Sequence, residues 1–99
     1  MTSYSQVIQL LYDAMDVTNE TLDPGQRLER APDTVLLGDG GKWDSLAFVN
    51  FAVTLEEALD RDLGQTVSVM DIVTQSERGQ WTVADMAERL AACVASGAA

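Results

Sequence analysis

The chain has 99 residues, 46% of them hydrophobic, with 16 Asp plus Glu against 6 Lys plus Arg and no histidine. Its net charge of -10 disfavours nucleic acid and anionic membrane surfaces and makes basic proteins the natural partners. A single Cys93 excludes an internal disulfide and a cysteine-based metal cage, and without imidazole the common nucleophilic constellations are missing.

The length suits one small domain over residues 1–99, and cysteine usage suits a reducing compartment. The segment Met1 to Gln6 has no basic stretch leading into an apolar core, and no uncharged stretch is long enough to span a bilayer. A soluble cytoplasmic protein, monomeric and not bound to membranes, is the expectation.

Val7, Leu10, Leu11, Ala14 and Met15 recur at three- and four-residue spacing, with Tyr4 and Ile8 alongside, which predicts a first helix over residues 4 to about 19 capped by Ser3 or Thr2. From Glu20 to Lys42 the chain carries Pro24, Pro32 and four glycines, so a continuous helix is excluded. Leu22, Leu28, Val35, Leu36 and Leu37 are expected to pin this long connection across the helix ends. No strand-type alternation stands out.

A second helix is predicted from about Ser45 to Arg61, with Asp44 at the N-cap. Phe48, Phe51, Ala52, Leu55 and Leu59 form one apolar stripe, and Leu46, Val49 and Val53 a second, more than one core face needs. Ser68-Val69-Met70-Asp71 and Thr82-Val83-Ala84-Asp85 resemble capping boxes with Asp in place of Glu. The first opens a short helix that breaks near Gly79. The second opens a helix with Val83, Met86, Ala87, Leu90, Ala91 and Val94 on one face, followed by a tail, 95–99, expected to fray. The pattern predicts an all-α four-helix bundle with a long connection between helices I and II and a short helix III.

Ser45 is the candidate site. It stands at a helix start, where the first N–H groups lack intrahelical partners and the macrodipole favours a phosphate. With no histidine to activate it, the serine is read as an acceptor of a group rather than as a nucleophile acting on a substrate. Asp-Ser-Leu by itself recurs by chance at ordinary helix starts, so the surrounding pattern carries the weight. Asp39-Gly40-Gly41 does not make a calcium loop: counting from Asp39, Gly41 and Trp43 occupy ligand positions and Asn50 replaces the closing Glu, and no metal site is expected. Trp43 and Trp81 are read as packing residues, and Cys93 as a small apolar residue of the last helix.

Trp43-Asp44-Ser45-Leu46 through Val49 to Leu55-Glu56-Glu57-Ala58-Leu59, in an acidic chain with this helix order, resembles the acyl carrier protein family over nearly the whole length. The resemblance implies an acyl-carrier-type bundle in which Ser45 accepts 4'-phosphopantetheine from coenzyme A through a phosphopantetheinyl transferase. The arm's thiol, not Cys93, would then carry an acyl or aminoacyl group as a thioester. It further implies that Asp44 helps to hold Mg²⁺ during the transfer, that Leu46 belongs to the attachment motif, and that Leu46, Val49, Val53, Glu56 and Glu57 meet acyl-loading and acyl-processing enzymes with basic docking patches. Catalysis by the carrier itself is not implied.

Lys42 and Trp43 stand where fatty-acid carriers have Gly-x before the Asp, Ala47 and Asn50 are neutral where such carriers are often acidic, and the segment from Asp60 to Trp81 is longer. These departures point to a specialised carrier for a dedicated polyketide, peptide or modified fatty-acid pathway. The Gly-Gly-x-Ser setting of peptidyl carriers is not reproduced. The alternative from another class is an acidic helical adaptor that binds a basic partner through helix II and never receives a prosthetic group.

Overall fold

The computed structural model describes residues 4–38, 40–75 and 79–97, the side chains of 94–97 excepted. Its first helix, α1, is Tyr4–Asn19, and Val7, Leu11, Ala14 and Met15 are buried along one face of it. The expected cap at Thr2 or Ser3 lies outside the described residues.

Side chains tie the connection after α1 to the end of that helix. Asn19 acts like a short piece of strand: its amide donates to the Leu28 carbonyl at 2.9 Å while its oxygen accepts from the Leu28 N–H at 3.0 Å. Arg27 Nε donates to the carbonyls of Asn19, the last residue of α1, and of Leu22 in the turn after it. The Arg30 guanidinium lies 5.7 Å from the centre of the Tyr12 ring and pairs with Asp13 and Asp16. Leu28 is thereby buried, while Leu22 packs at the edge of the core. A single 3-10 turn, Pro24–Gln26, interrupts the segment.

Beyond it the all-α expectation needs correction. Val35–Gly38 forms a strand, β1, antiparallel to β2, Gln80–Thr82, with Val35 opposite Thr82, Leu37 opposite Trp81 and Gly38 opposite Gln80. An irregularity in register falls between Val35 and Leu37. Val35-Leu36-Leu37 is an apolar run too short to show a period, and its partner lies more than 40 positions away, so the pairing is a tertiary outcome. Leu36 is fully buried, and Val35 and Leu37 are half-buried, as the pinning of the connection requires.

The second helix, α2, is Ser45–Leu63 and ends at Gly64, whose φ of 65° is open to glycine; the Gly64 N–H donates to the Asp60 carbonyl at 3.0 Å. The short α3 is Val69–Gln75, which ends before Gly79, near which its break is expected; residues 76–78 lie outside the described residues. The last helix, α4, is Val83–Gly97, so 95–97 of the expected fraying tail are helical, and 98–99 lie outside the described residues. A reciprocal capping box opens α4: the Asp85 N–H donates to Thr82 Oγ1 and the Thr82 N–H to Asp85 Oδ2, each at 3.1 Å. The N–H groups of Val83 and Ala84 donate to the carbonyls of Thr34 and Pro32 at 2.9 and 2.8 Å, so the connection also satisfies the start of the last helix.

The buried faces of α1, α2 and α4 meet in one cluster that includes Leu36, Trp43, Val69, Ile72 and Trp81. The molecule is thus mostly helical, with a small two-stranded sheet beside the helices, and no helix among the described residues is long and apolar enough to cross a membrane.

Candidate functional site

The candidate site begins at the glycine turn. The Gly41 N–H donates to the Gly38 carbonyl at 3.1 Å, and Gly38 and Gly40 adopt φ values of 108° and 85° that favour glycine. Asp39, within that turn, lies outside the described residues. Trp43 follows, 6% exposed, with its ring centre 5.3 Å from that of Phe51, which lies 5.9 Å from that of Phe48. This aromatic anchor supports the packing role expected of Trp43. Its indole Nε1 has no hydrogen-bond partner among the described residues.

With the chain fixed at Trp43, the next three residues, Asp44, Ser45 and Leu46, are all exposed. Asp44 is extended and caps α2: its Oδ1 accepts from the Ala47 N–H at 2.9 Å, and its carbonyl from the Phe48 N–H at 3.1 Å. Ser45 is the first residue of α2, beside N–H groups at the positive end of the dipole. Within the described residues no hydrogen bond engages Ser45 Oγ, so the hydroxyl faces solvent uncommitted.

Farther along α2 the two stripes separate. Phe48, Phe51, Ala52, Leu55 and Leu59 are buried, whereas Leu46, Val49 and Val53 are 69%, 37% and 49% exposed. One side of α2 is spent on the core, and the other presents apolar surface that no element among the described residues covers. Glu57 and Asp60 are exposed nearby. Arg61, in the last turn, donates from Nε to Asp62 Oδ1 at 3.0 Å, and that contact raises the guanidinium pKa above its ordinary value.

Glu56 stands differently from Glu57. It is half-buried, and its Oε2 accepts from the N–H of Val69, the first residue of α3, at 2.9 Å. A helix of seven residues is too short to persist by itself, so this bond and the burial of Val69 and Ile72 hold it in place. Ser68 adds a longer cap, with the Asp71 N–H 3.3 Å from Ser68 Oγ. Sequence reasoning grouped Glu56 with Glu57 as surface charge. The capping demand at Ser68-Val69 was legible, but that a carboxylate of α2 would answer it was not.

A groove of about 230 Å³ lined by Leu28, Glu29, Thr34, Val35, Gly40 and Lys42 flanks the turn before Ser45. A larger one, about 470 Å³, lies between the start of α1 and the end of α2 and includes Leu10 and Leu63. At about 1.5 Å per helical residue, Leu63 lies roughly 27 Å along α2 from Ser45, so the larger groove does not belong to this site. No cluster of metal-binding side chains occurs among the described residues. Set against known proteins, the chain matches no family model, no curated protein and no solved structure.

Proposed function

We propose that the protein is an acyl-carrier-type carrier with no catalysis of its own, modified at Ser45 by 4'-phosphopantetheine and serving a dedicated biosynthetic pathway. The observation that carries this reading is the position of Ser45: exposed, uncommitted, at the first position of a 19-residue helix and directly behind a buried tryptophan anchor. A phosphodiester at Oγ would lie against the unpaired N–H groups of the first turn, where negative charge is stabilised by about 0.3 to 1 kcal/mol.

In this reading Ser45 Oγ loses its proton to the transferase and bonds to the pantetheine-side phosphorus of the coenzyme A diphosphate, and adenosine 3',5'-bisphosphate leaves as the P–O–P bond breaks. Asp44 gives Oδ1 to the cap, and its exposed carboxylate would be the group of this chain that helps to hold Mg²⁺, which would neutralise phosphate charge during the transfer. Bound there, the arm supplies a thiol that carries an acyl or aminoacyl group as a thioester. The chain's own contribution is to hold Ser45 in solvent and to offer the Leu46, Val49 and Val53 strip, with Glu57 beside it, to basic enzymes. A tethered intermediate gains a high effective concentration at each enzyme so docked. The helix order, with a short α3 after a long α2, supports the same reading, and the β1–β2 pair is an addition to the bundle expected.

Transfer of a fluorescent pantetheine from coenzyme A by a broad-specificity transferase tests it. Labelling of the wild type and none of Ser45→Ala is the expected result. Equal labelling of Ser45→Ala would overturn Ser45 as the attachment point, and no labelling of folded wild type with several transferases would favour the adaptor that binds a basic partner through the same strip.

A further inference from the structure

Leu46, Val49, Val53 and Glu56 follow one another at three- and four-residue spacing, so Glu56 continues the exposed apolar strip of α2 by one turn. The same carboxylate accepts the Val69 N–H at 2.9 Å and so reaches the start of α3. We infer that Glu56 is a latch: a cationic group docked at the end of the strip draws the carboxylate off Val69 and loosens α3 from α2. The partner is a protein surface bearing Arg or Lys, as the net charge of -10 favours. This inference rests on the docking part of the proposed function but not on any modification of Ser45.

The physical case is one of competition. An ion pair with guanidinium offers the carboxylate a stronger hydrogen bond than a neutral backbone N–H does. Among the described residues the other side-chain hydrogen bond at the start of α3 is the Ser68 cap, long at 3.3 Å. Moving Glu56 leaves the Val69 N–H without its acceptor, and α3 then keeps its place through apolar packing, with Val69 and Ile72 buried and Met70 and Val73 at the edge of the core. Displacing α3 would open core surface next to the docked partner. Glu57, one position on, is exposed and makes no hydrogen bond to α3 among the described residues, so its charge serves encounter without the coupling.

Amide hydrogen exchange over residues 69–75 tests the latch in the full chain, with hexa-arginine as the cationic probe. In free protein, Glu56→Ala should speed exchange there about tenfold, the order expected for losing a hydrogen bond to a charged group, while α1 and α4 stay protected. Glu56→Gln, whose amide oxygen can still accept, and Glu57→Ala should stay within about twofold. Hexa-arginine should speed exchange in the wild type and in Glu57→Ala, but not in Glu56→Gln. Unchanged exchange in folded Glu56→Ala, no effect of the peptide on wild type, or an equal effect on Glu56→Gln would overturn the inference. If Glu56→Ala does not fold, the peptide comparison between wild type and Glu56→Gln decides it. Loading of Ser45 is read separately, so failure of either result leaves the other standing.

Discussion

A Cβ built on Gly38 would lie 2.2 Å from the Gly79 carbonyl oxygen and 2.7 Å from Gln80 Cα, and the residue has a φ of 108°. The two strands approach at this point only because the residue has no side chain. Gly38→Ala should therefore cost more than about 2 kcal/mol in urea denaturation, through strain and displacement of β2. Gly25→Ala, with nothing within 4 Å of the new carbon, should stay within about 0.5 kcal/mol. Equal losses would mean that close packing at the strand pair does not govern this position. Asp44 poses a different question, since one side chain both caps α2 and is assigned to the transfer. Asp44→Ala should cost about 0.5 to 2 kcal/mol, leaving the protein folded at room temperature, yet slow modification of Ser45 by a larger factor. Circular dichroism and loading rates on the same sample separate the two, and unfolding at room temperature would make Asp44 chiefly structural.

Among the elements, α2 buries one face in the core and exposes an apolar strip on the other, which the proposed function assigns to docking. Leu59 is fully buried, so Leu59→Ala should destabilise by about 2 to 5 kcal/mol, whereas Val53→Ala should change stability by less than about 0.5 kcal/mol and mainly speed dissociation of a partner. A large stability loss at Val53 would show that the strip is part of the fold rather than a free face. Both faces of α2 were legible in the sequence because a 19-residue amphipathic helix repeats its signal over several turns. Asp44, Thr82 and Asp85 were equally legible, since capping is local chemistry between residues three apart. The strands were not: three or four residues hold no period, and Leu37 meets Trp81 only after α2 and α3 have folded back. The clasp of Asn19 on Leu28 and of Glu56 on Val69 joins positions 9 and 13 apart, and no short-range pattern marks such pairs. The site itself was readable as a motif, while its exposure depended on Trp43 turning inward.

For the whole molecule, charge governs encounter. With a net charge of -10, association with a basic enzyme should slow as salt rises, because screening shortens to about 8 Å near physiological ionic strength. Replacing Glu56 and Glu57 by Gln should lower the association rate and flatten its salt slope with a transferase or an acyl-loading enzyme. Untouched association in folded variants would return Glu57 to ordinary solubilising surface and leave Glu56 only its structural bond to Val69. The central claim, that the fold exists to hold Ser45 out as an attachment point, is tested most directly by intact mass after incubation with coenzyme A, Mg²⁺ and a phosphopantetheinyl transferase. The account predicts a gain of one phosphopantetheine, located on Ser45 by fragmentation and absent from Ser45→Ala. An unchanged mass for folded protein with several transferases, or an equal gain in Ser45→Ala, would contradict it.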